Sequence, residues 1–300
     1  MKNVILCANF DDESCLALSL LSNSNQYNIV GIIASSGQIS ADESYSKAVS
    51  TLSKIGKQYP VFRGSTYSMV ADIDPKRKVW NAQGLMDDKK ITEGYVEGMS
   101  QNGTPAAVWL IEYLINQKEN VEIICLGPLT DFALAIRICP IITKYISRVV
   151  IYGGAHKMAD DTATAEKNIR FDPEAAAIVM ACKFDKILIP RDCACNALIN
   201  DTDLETSIFK NWKFPNNILN NNENASKHVY GKLLSIAVLE DETVLKELIP
   251  YSVDINISGN YSDGQTIFDT RRIFDDYNCR TSFAANKERM ISVLRALAKK

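Results

Sequence analysis

Apolar residues fall along this chain in short, nearly unbroken runs separated by stretches of helical period. The runs "NVILC" (3–7), "YNIVGIIAS" (27–35), "YPVFRG" (59–64), "VEIICLG" (121–127), "RVVIYGG" (148–154), "KILIPRD" (186–192) and "YSVDINI" (251–257) are rich in Val and Ile and predict strands. Helical patterning predicts helices over 13–22, 41–56, 104–116, 129–138, 173–182, 228–239 and 286–299. Strands that are apolar throughout, rather than alternating, are covered on both faces. The expected fold class is therefore α/β: a mostly parallel, Rossmann-like sheet flanked by helices. No Pro/Gly-rich linker and no internal repeat divides the chain, so one domain over 1–300 is expected.

Several of these strands end in small or polar clusters, "ASSG", "LGPLTD", "IYGGA" and "IPRD". Parallel strands bring such ends to one edge, where the loops form a ligand cleft. The Asn-rich stretch 211–227 lacks periodicity and is expected to be a mobile surface segment suited to a lid.

Composition narrows the function classes. An apolar fraction of 46% and a charged fraction of 23% describe a soluble globular protein, and a net charge of −3 gives no electrostatic case for nucleic acid. No run approaches the roughly 18 apolar residues of a membrane span. The N-terminus enters a strand directly, with no signal-peptide shape. The eight cysteines are scattered, several inside apolar runs, which predicts reduced, buried thiols and a cytoplasmic protein. Convergence of Cys7, Cys193 and Cys195 on a soft metal is the alternative to burial for those three.

Two segments invite chemistry. In "CANFDDES" (7–14) an apolar run stops at an acidic cluster and a helical pattern begins. Asp11 or Asp12 would cap that helix with Glu13 in its first turn, or Glu13 would face the cleft as a perturbed carboxylate. In "TATAEKNIRFDPEAAAIV" the "DPEAA" portion is a helix start: Asp172 caps, Pro173 takes the first helical position and Glu174 favours the positive end of the dipole.

Helix capping leaves "AEKN" unexplained. Taken with "LGPLTDFALAI", "IYGGA", "GIIASSGQIS", "QGLM", "IPRDCACNAL" and "VDINISGNYSDGQTIFD", the segment "AEKNIRFDPEAA" resembles the inosine/uridine-preferring nucleoside hydrolase family, in order along nearly the whole chain. The resemblance implies hydrolysis of the N-glycosidic bond of a ribonucleoside or related ribosyl compound. It also implies a calcium ion that holds the ribose 2′ and 3′ hydroxyls and the attacking water, and a homodimer or homotetramer. The partner expected is a small-molecule nucleoside or ribosyl ligand, with no nucleic acid and no membrane.

The chain departs from the family where the ion should sit. The family draws its ligands from a "DxDxGxDD" loop, an Asn after the second strand, a Thr carbonyl and a late Asp. Aligned without gaps, Cys7 and Asn9 take the first two Asp positions, and Glu13 and Ser14 take the Asp pair. Gln38 takes the Asn position, Lys232 the late Asp position after a one-residue gap, and Thr130 is kept. A second register that keeps Asp11-Asp12 as the pair inserts two residues into the following helix. Calcium wants about six to eight hard oxygens, mostly carboxylates, so calcium binding is expected to be lost and no cofactor is expected. Lys232 would then contact the ligand as a cation surrogate, or pair with Glu13 or Asp12 and close the site.

The sugar side is better kept. By the resemblance Glu166 and Asn168 bond the 3′ and 5′ hydroxyls, and Tyr152 lines the pocket. Candidate catalytic residues are Glu13, Asp12, Lys232 and His228; His228 lies four residues before Lys232, near where the family often has a leaving-group acid. A helix-start or surface role is the alternative for that His. Candidate ligand-binding residues are Asn9, Ser14, Gln38, Thr130, Tyr152, Glu166 and Asn168. Two functions remain open: a calcium-free N-glycosidic hydrolase, or a catalytically silent relative that binds a ribosyl ligand as a sensor or subunit.

Overall fold

A computed structural model of the chain describes residues 1–70, 103–117, 120–197, 199, 203–204, 208, 229–258, 261–271 and 276–298. Its strands are β1 (Lys2–Ala8), β2 (Tyr27–Ala34), β3 (Val61–Arg63), β4 (Val121–Cys125), β5 (Ile146–Tyr152) and β6 (Asp185–Ile189). The later ones are β7 (Leu245–Lys246), β8 (Ile249–Tyr251), β9 (Val253–Ile255), β10 (Thr266–Phe268), β11 (Cys279–Thr281) and β12 (Ala284–Ala285). Helices are α1 (Asp12–Leu21), α2 (Ala41–Lys54), α3 (Ala106–Asn116), α4 (Thr130–Ile138) and α5 (Lys167–Phe171). They continue as α6 (Pro173–Ala181), α7 (Arg191–Ala197), α8 (Gly231–Glu240) and α9 (Lys287–Ala298).

Eight strands form one sheet in the order β3-β2-β1-β4-β5-β6-β11-β8, parallel except for β8. Side chains of a strand alternate between faces, and here both faces are buried. Val4, Leu6 and Ala8 of β1 enter one core with α1, α8 and α9, while Ile5 and Cys7 enter the other with α3, α4 and α6. That two-sided burial is why the strands read as unbroken apolar runs. The chain leaves β1 for β2 on one side, and β4 pairs on the other, so the order reverses at β1/β4, the switch point beyond whose C-terminal ends open α/β sheets bind ligands.

The helix starts follow local chemistry. Asp11 caps α1, its Oδ1 accepting from the Ser14 N–H at 2.9 Å. Ser40 caps α2. Asp172 caps α6, accepting from the Ala175 N–H at 3.0 Å, with Pro173 in the first turn as its sequence predicts.

One strand expectation is corrected. "YSVDINI" does not run as a single strand, because the Asn278 side chain takes both backbone groups of Val253, accepting from its N–H at 2.9 Å and donating to its carbonyl at 2.7 Å. Tyr251 stays in the main sheet opposite Cys279, whereas β9 turns away to pair with β10. The stretches 83–86 and 211–227 lie outside the described residues.

The N-terminal edge is locked by charge. Arg148 of β5 donates through Nε to Glu122 of β4 at 2.9 Å and through a terminal nitrogen to the Tyr27 hydroxyl at 2.9 Å, and it also pairs with Glu242. The same guanidinium reaches the Leu239 carbonyl near the end of α8 at 3.2 Å. Removing one member of a buried pair strands its partner. Arg148→Met is expected to lower unfolding free energy by about 3 kcal/mol in urea titration. A loss below about 1 kcal/mol would mean the network behaves as a solvated surface pair.

Candidate functional site

The loops after β1, β2, β4, β5 and β6 meet at the C-terminal edge. The loop after β1 is pressed between its neighbours: a Cβ on Gly127 would lie 2.5 Å from the Asn9 nitrogen, and one on Gly37 would lie 2.8 Å from its side-chain carbon. Asn9 is fully engaged there. Its amide donates to the carbonyls of Ser35 at 2.8 Å and Ile39 at 2.9 Å, and its oxygen accepts from the Ile39 N–H at 3.2 Å.

Around the head of α1 the acidic cluster is spent on α8. The Glu13 carboxylate accepts from the Lys232 and Leu233 N–H groups at 2.8 and 3.0 Å, so it supplies the anion that the start of α8 needs. The buried Lys232 ammonium donates to Asp11 Oδ2 at 2.6 Å, to the Ser14 hydroxyl at 2.9 Å and to the Asn9 carbonyl at 3.3 Å. Burial on its own pushes the Asp11 carboxyl up. The Lys232 charge and the hydrogen bonds from Lys232 and Ser14 outweigh it and hold the group below the usual value.

The partner of Lys232 is thus Asp11, and not Glu13 or Asp12 as the sequence suggested. The reason is geometric: Asp11 precedes the helix and faces inward, while Asp12 turns to the solvent side of α1 beside Lys47, 3.4 Å away. Gln38 is exposed at the rim. Thr130 gives its hydroxyl to Asp172 at 2.7 Å. His228 lies outside the described residues. Cys7 and Cys193 are buried, Cys195 is half-buried, and all three are free thiols. Among the described residues no three His, Cys, Asp or Glu side chains converge as a metal site.

The other half of the edge is arranged differently. Glu166 caps α5, its Oε2 accepting from the N–H groups of Gly154 at 2.9 Å, Asn168 at 3.0 Å and Ile169 at 3.3 Å. No protein donor reaches Oε1 among the described residues. Asn168 donates to the Tyr152 carbonyl at 3.2 Å. Burial, then the neighbouring Asp160 charge, raise the Glu166 carboxyl to about 7 against the opposing pull of the three N–H groups. The Tyr152 ring covers Gly231 at the start of α8, where an added Cβ would lie 2.0 Å from the ring. Burial and the charges of Glu166 and Glu13 push the Tyr152 phenol well up, so it stays protonated.

Sequence reasoning offered Asp11 as a helix cap but missed it as the partner of Lys232; this residue falls at the glycine of the "DxDxGxDD" motif. It also missed Asp192, which fixes the loop after β5 by accepting from the His156 and Lys157 N–H groups, both at 2.8 Å. The signal for Asp192 was the polar end of "IPRD"; that for Asp11 was a new carboxylate in a chain with a new lysine at another motif position. The present donor set does not fit a hard divalent ion. Its amide and its Glu carboxylate are bonded elsewhere, and its remaining carboxylate already holds an ammonium.

The mostly parallel, doubly wound sheet flanked by helices is an α/β fold shared with solved nucleoside hydrolases. Residues 8–298 match the inosine-uridine preferring nucleoside hydrolase family, and the chain belongs to that family. It is 27% identical over 197 residues to the non-specific ribonucleoside hydrolase RihC of Escherichia coli O6:H1, an alignment spanning 65% of this chain and 62% of that relative. Against the protein of the same name from Shigella boydii serotype 18 it is 25% identical over 265 residues, 86% of this chain and 84% of the relative. A solved inosine-guanosine nucleoside hydrolase superposes with a TM-score of 0.81 at 16% identity, covering 99% of this chain and 98% of that one, a likeness of fold.

The Glu166 shift makes stability depend on pH. Its folded value of about 7 lies above the unfolded carboxyl value, so the native state holds the proton more tightly. The resulting stability is present below the unfolded value and is lost as pH rises through about 7. Between pH 5 and 8 the wild type is expected to lose about 2–3 kcal/mol that Glu166→Gln retains, read by chemical denaturation at each pH. Equal losses in both proteins would show that the three N–H groups keep Glu166 ionised throughout.

Proposed function

We propose that this chain binds a ribonucleoside or a related ribosyl compound at the C-terminal edge, through the Glu166, Asn168 and Tyr152 half of the site. The observation that supports this reading is the posture of Glu166. One oxygen is held by three backbone N–H groups, and the other is left to accept from a ligand hydroxyl. A carboxylate fixed in this way discriminates for hydroxyl donors, because a ligand lacking them leaves a buried acceptor unmet. The family and the names of its relatives point to the same ligand class.

On this reading the chain is a silent binder. Hydrolysis needs a group free to take a proton from water. Asp11 is paired with Lys232, Glu13 accepts from the head of α8, and Asp12 stands in solvent beside Lys47. One observation favours residual hydrolysis: a carboxyl near 7 with a free oxygen, Glu166, is suited to exchange a proton at neutral pH.

Calorimetry with inosine, uridine and free ribose tests the binding, and chromatography of released base tests the reaction. Saturable binding of at least one ribosyl compound is expected. Glu166→Ala should weaken it tenfold or more, the ~1.5–3 kcal/mol of a hydrogen bond to a charged group. Base release should stay at the uncatalysed rate. Turnover that disappears in Glu166→Ala would establish the hydrolase reading, and no binding to any of the three would remove the ligand assignment.

A further inference from the structure

The two halves of the Lys232 contact come from different places in the sequence, and both depart from the family motif. Asp11 stands at the motif's glycine and Lys232 at its late Asp, 221 residues apart, yet they meet at 2.6 Å. Either change alone would cost stability. Lys232 without Asp11 would leave an ammonium buried against neutral oxygens, and Asp11 without Lys232 would leave a half-buried carboxylate without its counter-ion.

The rest of the cage is oxygen: the Ser14 hydroxyl and the Asn9 carbonyl complete the three acceptors of a three-proton donor. The backbone that carries Lys232 is itself pinned, since Glu13 accepts from its N–H and from the next. With all three ammonium protons placed on protein oxygens, none is left to meet a ligand.

From this geometry we propose that the Lys232 ammonium is a tethered cation that permanently fills the place of the family's calcium ion and clasps α1 to α8. It deepens the reading of this edge as the ligand edge and rests on that reading only for its bearing on ligands. The ammonium supplies one positive charge, matched by Asp11, while Glu13 is matched by the positive end of α8. An entering divalent ion would have to displace a covalently attached charge whose local concentration cannot be diluted.

The test is a cation titration followed by thermal melting and calorimetry, with no nucleoside present, so that a failure of ribosyl binding cannot affect it. Wild type at about 5 mM calcium should show no binding heat and no melting shift beyond that of sodium chloride at equal ionic strength; a micromolar site would be saturated there and would raise the melting temperature. Lys232→Ala should melt lower than wild type and should regain part of the loss with ethylammonium, which can refill the cage, and not with calcium, for which one carboxylate is too few. Lys232→Arg should keep more of the wild-type melting temperature than Lys232→Met. Micromolar calcium binding by the wild type would overturn the proposal, whether or not the variants fold. Identical melting and cation response in Lys232→Ala and wild type would overturn it as well.

Discussion

The ion pair between Asp11 and Lys232, with the Glu13 contact to the head of α8 beside it, sets the architecture of the ligand edge. A buried pair of this kind adds little net stability by itself, because desolvation of both ions offsets their attraction. Its effect is to specify position. Asp11 both caps α1 and holds the ammonium, and Glu13, one turn into α1, reaches over to cap α8. The two helices are thereby fixed in register on one face of the sheet, over the end of β1. At the opposite edge Arg148 bonds the Leu239 carbonyl, so α8 is held near both ends.

This constraint divides the edge into a closed half and an open half. In the closed half the polar side chains of the loop after β1 and the head of α1 have protein partners: Asn9 with the loop after β2, Ser14 and Asp11 with Lys232, Glu13 with α8. In the open half Glu166 and Asn168 are positioned by backbone bonds, and among the described residues Glu166 Oε1, Asn168 Oδ1 and the Tyr152 hydroxyl have no protein partner. Tyr152 joins the two, since its ring lies on Gly231 while its carbonyl orients Asn168.

The sheet was legible because its chemistry is local. A strand buried on two faces is apolar on both, and the C-terminal parts of β1, β2, β4, β5 and β6 read that way. "DPEAA" announced α6 because cap, proline and acidic first turn act within five residues. What escaped was set at long range. β9 leaves the main sheet because Asn278, 25 residues away, takes both backbone groups of Val253. Short β11 sits between β6 and β8 although its middle residue is Arg280, whose charge is met by Asp185 and Glu242. In the site, the motif positions drew attention to Lys232. Its partner could not be read from the sequence, because three acidic residues stand in a row at 11–13 and two of them, Asp11 at the cap and Glu13 in the first turn, reach α8.

The most direct measurement of the central claim is anomalous scattering from crystals soaked in a lanthanide, a hard oxygen-seeking substitute for calcium. The account predicts no anomalous peak at the head of α1, with the Lys232 nitrogen still within hydrogen-bond distance of Asp11 and Ser14. An ion there at about 2.3–2.6 Å from Asp11 and its neighbours, with Lys232 turned out of the cage, would contradict it.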